Sequence, residues 1–130
     1  MDANEQLVRD GYDAFGAGDM EKLGGLFADD AVHSVPGNNQ LTGDYKGRDA
    51  ILGLYGKLFD LTGGNMAVDL QSVKVDGDKV AAVHNAKAER DGKSFDGETT
   101  LNFTIKDGKI ARIDEVPSDQ AAEDDFWGKA

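Results

Sequence analysis

The chain has 130 residues, a formal net charge of −11 and no cysteine, which fits one domain and excludes disulfides and thiol chemistry. The excess of Asp and Glu argues against binding to nucleic acid or to an anionic membrane, because both attract proteins mainly through Lys and Arg. The sequence shows no secretory signal, and its apolar runs are far shorter than the roughly 20 residues that cross a bilayer. We therefore expect a single cytoplasmic domain over residues 1–130.

Three helices are predicted in the first half of the chain. Asp2 and Glu5 have the spacing of a capping box, and the apolar residues that follow recur at helical spacing until a Gly-rich segment. Asp19 is suited to cap a second, shorter helix that extends to Phe27. The third helix begins near Gly47 and ends at two consecutive glycines.

Between the first strand and the third helix lies a Gly-rich loop that begins at Pro36. Proline prevents further strand pairing, and the glycines permit a sharp reversal of the backbone. Polar side chains of the loop therefore end beside an apolar helix. This arrangement predicts the mouth of a pocket.

The second half of the chain alternates between apolar and polar residues, as strands do. Three Asp-Gly pairs within it, at 76–77, 91–92 and 107–108, are strong hairpin signals. The predicted strands are 66–75, 79–90, 93–106 and 109–116, with a short strand at 31–35 before the third helix. The alternation changes phase near Gln71, which indicates a β-bulge. Helices followed by an antiparallel sheet predict an α+β fold.

The chain also contains four characteristic segments: Phe15–Asp19, Leu26–Val32, Pro36–Arg48 and Asp119–Trp127. With these segments it resembles the SnoaL-like branch of the nuclear transport factor 2-like superfamily, which includes the ketosteroid isomerases. The resemblance implies a curved antiparallel sheet of five or six strands packed on three N-terminal helices, in the form of a cone with a pocket inside. It implies a fold rather than a reaction, since members of one fold carry out different functions.

The resemblance also implies a homodimer formed through the outer face of the sheet. The side chains expected on this face are Ala81, Val83, Ile110 and Arg112.

Successive side chains of a strand point to opposite faces of the sheet, so one known orientation fixes all others in that strand. Alignment of the last strand with the family gives that orientation. Ala111, Ile113 and Glu115 then face inward from the last strand. His33 and Val35 face inward from the first strand, and His84 faces inward from a strand with small neighbours. The other side chains expected to line the pocket are Tyr12, Phe15, Tyr45, Tyr55, Phe59, Leu101, Phe103 and Trp127.

Glu115, His84 and His33 form the candidate catalytic set. Burial among apolar side chains raises the pKa of a carboxyl group, and histidine titrates near neutral pH, so such groups can exchange protons with a substrate. Each residue also has a structural interpretation. Buried histidines are often only hydrogen-bonded, and Glu115 could form an ion pair with Arg48 or Lys46 at the rim.

The residues that the ketosteroid isomerases use are absent from the matching positions. Their aspartate base matches Val35, and their second acid matches Leu101. Their oxyanion tyrosine falls at Gly11, one position from Tyr12. Steroid isomerisation is therefore not expected.

Motifs for a metal, a nucleotide cofactor or a nucleophilic serine are also absent, so we expect neither a metal nor a cofactor. Two functions fit a pocket of this kind. The first is a cofactor-independent acid–base enzyme, of the isomerase, cyclase, lyase or hydratase type, acting on a small apolar molecule. The alternative is an accessory protein that binds such a molecule without changing it. The candidate acid–base set favours the enzyme slightly.

Overall fold

A computed structural model describes residues 2–129. The elements in chain order are α1 (Ala3–Ala17), α2 (Met20–Gly24), β1 (Phe27–Val35), β2 (Gly43–Lys46), α3 (Arg48–Thr62), β3 (Ala67–Asp76), β4 (Lys79–Arg90), β5 (Lys93–Lys106), β6 (Lys109–Pro117) and α4 (Gln120–Trp127). This confirms the predicted α+β class. Within the described range, no helix has both the length and the apolar character needed to cross a membrane.

The helix ends follow from local capping. Asp2 accepts hydrogen bonds from the backbone amides of Asn4 and Glu5 at 2.8 and 3.2 Å, which satisfies two free donors of α1. Helix α2 ends at Gly24, because consecutive glycines lower helix stability. The prediction that this helix extends to Phe27 is therefore wrong, since Phe27 begins β1.

The six strands form one sheet in the order β2-β1-β6-β5-β4-β3. Neighbouring strands are antiparallel, as predicted, except that β1 and β6 run parallel. The predicted bulge is confirmed, because the register of β3 against β4 shifts between Leu70 and Ser72. Such a bulge bends its strand and increases the twist of the sheet.

Two elements were absent from the sequence prediction. Strand β2 is a four-residue edge strand that pairs only with β1, and its polar sequence lacks the usual alternation. Helix α4 has eight residues and three acidic side chains, so its periodicity is weak. Its start is marked by Asp119, whose carboxylate accepts a hydrogen bond from the backbone amide of Ala122 at 3.1 Å.

The inner face of the sheet carries most of the buried side chains, and the predicted inward parity of β4 is confirmed from Val80 to Ala88. In β6 the prediction was wrong at two positions. A register shift pairs Ile110 with Ile105 and Arg112 with Thr104, which leaves Ala111 between the two pairs. Ile110 is therefore buried at 1 % exposure and does not belong to the outer face, whereas Ala111 is only partly buried.

Helix α4 is held on two sides. The carboxylate of Asp124 accepts hydrogen bonds from the backbone amide of Asn38 and the side-chain amide of Asn39, both at 2.9 Å. On the other side, the guanidinium of Arg90 donates to the backbone carbonyl of Phe126 at 2.8 Å. Gly37 has a φ of 94°, and a Cβ there would lie 2.1 Å from the side-chain nitrogen of Gln120. A glycine is thus required where the loop meets α4.

Candidate functional site

A cavity lies between the inner face of the sheet and helices α1, α3 and α4. Its volume is about 120 Å³, several times the roughly 10–15 Å³ that one water molecule requires. Most of its wall is apolar, as is usual for a site that takes a small organic molecule. The polar and titratable residues of the wall are Tyr12, His33, Asn39, Tyr55, His84, Thr99, Glu115, Gln120 and Glu123.

The structure brings His33 and Glu115 into direct contact. Nε2 of His33 lies 2.6 Å from Oε1 of Glu115, and Nδ1 lies 2.7 Å from the hydroxyl oxygen of Tyr55. Burial, and then the charge of Glu115, raise the pKa of Tyr55 well above its ordinary value, so the phenol keeps its proton. In the neutral ring, Tyr55 therefore donates to Nδ1, and the Nε2–H group donates to the carboxylate of Glu115.

A second hydrogen-bonded pair lies in the same cavity. The hydroxyl oxygen of Tyr12 is 2.6 Å from Nδ1 of His84, and the two rings meet edge to face. Burial, and then the charge of Glu115, raise the pKa of Tyr12, so this hydroxyl is also protonated and donates to Nδ1. Nε2 of His84 then carries the ring hydrogen. Within residues 2–129 nothing hydrogen-bonds Nε2, and it is left open to the cavity.

Burial lowers the pKa of His84 below its ordinary value of 6.5, and the negative charge of Glu115 offsets this only in part. We therefore expect NMR titration of the His84 ring to give a midpoint below 6.5. Because the unfolded chain binds this proton more tightly, the contribution of His84 to stability is complete above pH 6.5 and is lost on acidification below it. The same ring measured in urea-unfolded protein is the control. A folded-state midpoint of 6.5 or higher would contradict the buried, neutral imidazole.

Glu123 is a wall residue that the sequence analysis missed. Its Oε2 accepts a hydrogen bond from the indole nitrogen of Trp127 at 2.9 Å. Burial raises the pKa of Glu123 to about 7, despite the opposing hydrogen bonds from Trp127 and Thr99. Two signals could have found this residue: the capping residue Asp119, and the four-residue spacing between Glu123 and Trp127.

Most residues predicted to line the pocket lie on its wall. They are the three candidate catalytic residues together with Tyr12, Phe15, Val35, Tyr55, Leu101, Phe103, Ile113 and Trp127. Tyr45 and Phe59 lie outside it. The Tyr45 hydroxyl donates to the backbone carbonyl of Leu41 at 2.8 Å, and the Phe59 ring stacks on Phe15 with centroids 5.0 Å apart. These two assignments are therefore corrected.

The expected alternative partners of Glu115 are engaged elsewhere or exposed. Arg48 forms an ion pair with Asp29 at 2.8 Å and donates to the backbone carbonyl of Phe27. Lys46 is exposed and forms no ion pair within the described chain. Glu115 is bound by His33 instead, so its contact belongs to the cavity rather than to the rim.

The arrangement is suited to acid–base chemistry. Two carboxyl groups, two histidines and two tyrosines share one largely apolar cavity, where weak solvation strengthens each electrostatic interaction. Burial is the main cause of the raised pKa values of Tyr45 and Glu123, and the negative charge of Glu115 adds to both. Within residues 2–129, no three His, Asp or Glu side chains are grouped as metal ligands would be.

Comparison with known proteins gives a consistent result. The sequence model of the SnoaL-like domain family matches residues 8–113 of the chain. An uncharacterised protein from Mycobacterium tuberculosis is 35% identical over 127 residues, which cover 97% of both chains. An uncharacterised protein from Mycobacterium bovis has the same identity and coverage.

Two solved structures extend this result to three dimensions. Bal32a, from a soil-derived mobile gene cassette, has a TM-score of 0.95 and 37% identity over 97% of each chain. A proposed polyketide cyclase from Sinorhizobium meliloti has a TM-score of 0.73 and 26% identity, covering 89% of this chain and all of the other.

Proposed function

Since the chain belongs to the SnoaL-like family, we propose that it is a cofactor-independent enzyme that moves a proton on a small apolar carbonyl compound. The observation that carries this proposal is the hydrogen-bonded series Tyr55–His33–Glu115 within an apolar cavity. An acid–base group fixed in this way is positioned to accept a proton from a bound molecule.

Glu115 is the base in this proposal. His33 holds its Oε1, whereas nothing within residues 2–129 hydrogen-bonds its Oε2. The Glu115 side chain is 27% exposed, so a small molecule in the cavity can reach it. His33 is a positioning residue, because both of its ring nitrogens are engaged and it acts on the substrate only through Glu115.

The proposed electrophile is the Nε2–H group of His84. A proton leaves a carbon next to a carbonyl group more easily when a hydrogen bond stabilises the negative charge that develops on the oxygen. The neutral His84 ring, held by Tyr12 at Nδ1, presents such a donor. The series Tyr12–His84 and the series Tyr55–His33–Glu115 thus supply the oxyanion donor and the base, respectively.

The apolar and aromatic side chains of the cavity wall favour a ring-containing substrate with few polar groups. Leu101, Phe103 and Ile113 present apolar surface from neighbouring strands, and Phe15 adds an aromatic ring from α1. The resemblance to a proposed polyketide cyclase agrees with this chemical class. Such molecules commonly carry acidic C–H groups beside carbonyl oxygens.

Hydrogen–deuterium exchange at the α-carbon of apolar ketones tests the proposal without knowledge of the natural substrate. We expect the protein to accelerate exchange of 2-tetralone or 2-cyclohexenone in D2O by about tenfold or more over buffer, followed by proton NMR. Heat-unfolded protein is the control for general catalysis by surface groups. Saturable binding of the ketones without accelerated exchange would contradict the enzyme and support the ligand-binding alternative.

A further inference from the structure

Glu115 is one of two carboxyl groups in the cavity, and the second one has no part in the base and electrophile described above. Glu123 lines the same cavity from α4, whereas Glu115 and His33 belong to β6 and β1. We propose that Glu123 is the proton donor of this site, delivering a proton to the carbonyl oxygen of the substrate while Glu115 removes one from carbon. This inference rests on the proposed function.

The geometry separates the roles of the two carboxyl groups. Glu115 is bound at Oε1 by the imidazole ring of His33, whose Nε2 lies 2.6 Å away. Among the described residues, Glu123 accepts hydrogen bonds only from neutral groups, the indole Nε1–H group of Trp127 at Oε2 and the side chain of Thr99. No Lys or Arg of residues 2–129 forms an ion pair with Glu123. A half-buried carboxyl group without a cation is the one that keeps its proton.

The charged groups around α4 reinforce this difference. The negative charges of Glu115 on β6 and of Asp124 on α4 both disfavour ionisation of Glu123. Two cations of the sheet contact α4 at other groups: Arg90 of β4 donates to the carbonyls of Phe126 and Trp127, and Lys93 of β5 pairs with Asp125. With burial as the main cause, the pKa of Glu123 is raised to about 7, so the group holds and releases a proton near neutral pH.

The step balances without any further reactant. The carboxylate of Glu115 takes a proton from the α-carbon and becomes a carboxylic acid, while the carboxylic acid of Glu123 gives its proton to the carbonyl oxygen and becomes a carboxylate. The substrate is then a neutral enol. In a substrate whose enol is conjugated with a second double bond, transfer of the proton from Glu115 to the γ-carbon, with return of the enol proton to Glu123, completes an isomerisation and restores both groups.

The proposal is tested with 2-tetralone as the probe, by measuring both its binding and its α-carbon exchange between pH 6 and pH 9. In the unaltered protein we expect affinity to fall roughly three- to tenfold across this range, because an ionised Glu123 no longer donates to the ketone. In Glu123→Gln the amide donates at every pH, so affinity becomes independent of pH. We expect its exchange rate to fall by about tenfold or more. Asp125→Asn, an exposed carboxylate on the same helix, is the matched control.

The possible outcomes distinguish failure of the proton-donor role of Glu123 from failure of the proposed enzyme. Loss of both the pH-dependent binding and the exchange rate in Glu123→Gln supports the proton donor. Unchanged behaviour of Glu123→Gln overturns it while leaving Glu115 as the base. Binding that depends on Glu123, without exchange in the unaltered protein, overturns the enzyme and retains Glu123 as a hydrogen-bond donor to the ligand. Failure of the probe ketones to bind overturns both.

Discussion

Replacement of Glu115 by glutamine is expected to lower the protein-dependent rate of α-carbon exchange, measured as the excess over the rate in buffer, by a factor of about 100 or more. Glutamine has nearly the same shape and still accepts the hydrogen bond from Nε2 of His33, but its amide cannot take up a proton. A positioned general base contributes roughly 10²- to 10⁴-fold to a rate. The measurement is proton NMR of 2-tetralone in D2O, with the unaltered protein and the variant at equal concentration.

The neighbouring residue offers a matched control for this variant. Asp114 lies on the same strand and forms an ion pair with Arg112 at 3.0 Å on the solvent side. Asp114→Asn removes the same charge outside the cavity, and we expect it to retain the rate of the unaltered protein. Undiminished exchange in Glu115→Gln would show that another group is the base.

Replacement of Glu123 by glutamine is expected to raise the free energy of unfolding at pH 8 by roughly 2–3 kcal/mol. The pKa of Glu123 is raised from 4.5 to about 7 in the folded chain. Between these two pH values the folded state binds more protons than the unfolded state, so stability falls as pH rises, and the loss is complete above pH 7. Glutamine remains neutral, so its variant avoids that loss. Urea denaturation at pH 5 and pH 8 measures the difference.

The dependence on pH distinguishes this effect from a change in packing. At pH 5 most of the Glu123 side chains are protonated in the folded protein, so we expect the variant and the unaltered protein to differ by much less than at pH 8. Asp125→Asn removes an exposed charge from the same helix and serves as the control. An equal stabilisation at both pH values would contradict burial of the carboxyl group as the cause.

The outline of the fold could be predicted from sequence because its signals are local. The phase change near Gln71 and the hairpin signal of Asp91-Gly92 each depend on a few adjacent residues. The inward direction of Ile110 could not be predicted. It depends on a register shift against β5. The alternation of apolar and polar residues within one strand does not reveal which residues of the neighbouring strand it pairs with.

The candidate site was predicted as a set of side chains rather than as an arrangement. Strand alternation placed His33 and Glu115 on the inner face of the sheet. Their contact, however, depends on parallel pairing of β1 with β6, which are far apart along the chain. Glu123 was missed because α4 is short and acidic, so its buried face gives a weak periodic signal. Long-range pairing and short helices are where single-sequence patterns carry the least information.

The parallel contact between β1 and β6 also bears on how the chain folds. Hairpins such as β4–β5 close over a two-residue turn, whereas β1 and β6 are separated by the 73 residues 36–108, which must be ordered or looped out before the two strands pair. Closing so long a loop costs more entropy, and non-local contacts slow folding. Bonding of His33 to Glu115 therefore reports that both ends of the chain have come together. The NMR signal of the His33 ring would follow the formation of this non-local pairing, and a chain in which β1 and β6 are not paired would have no assembled base.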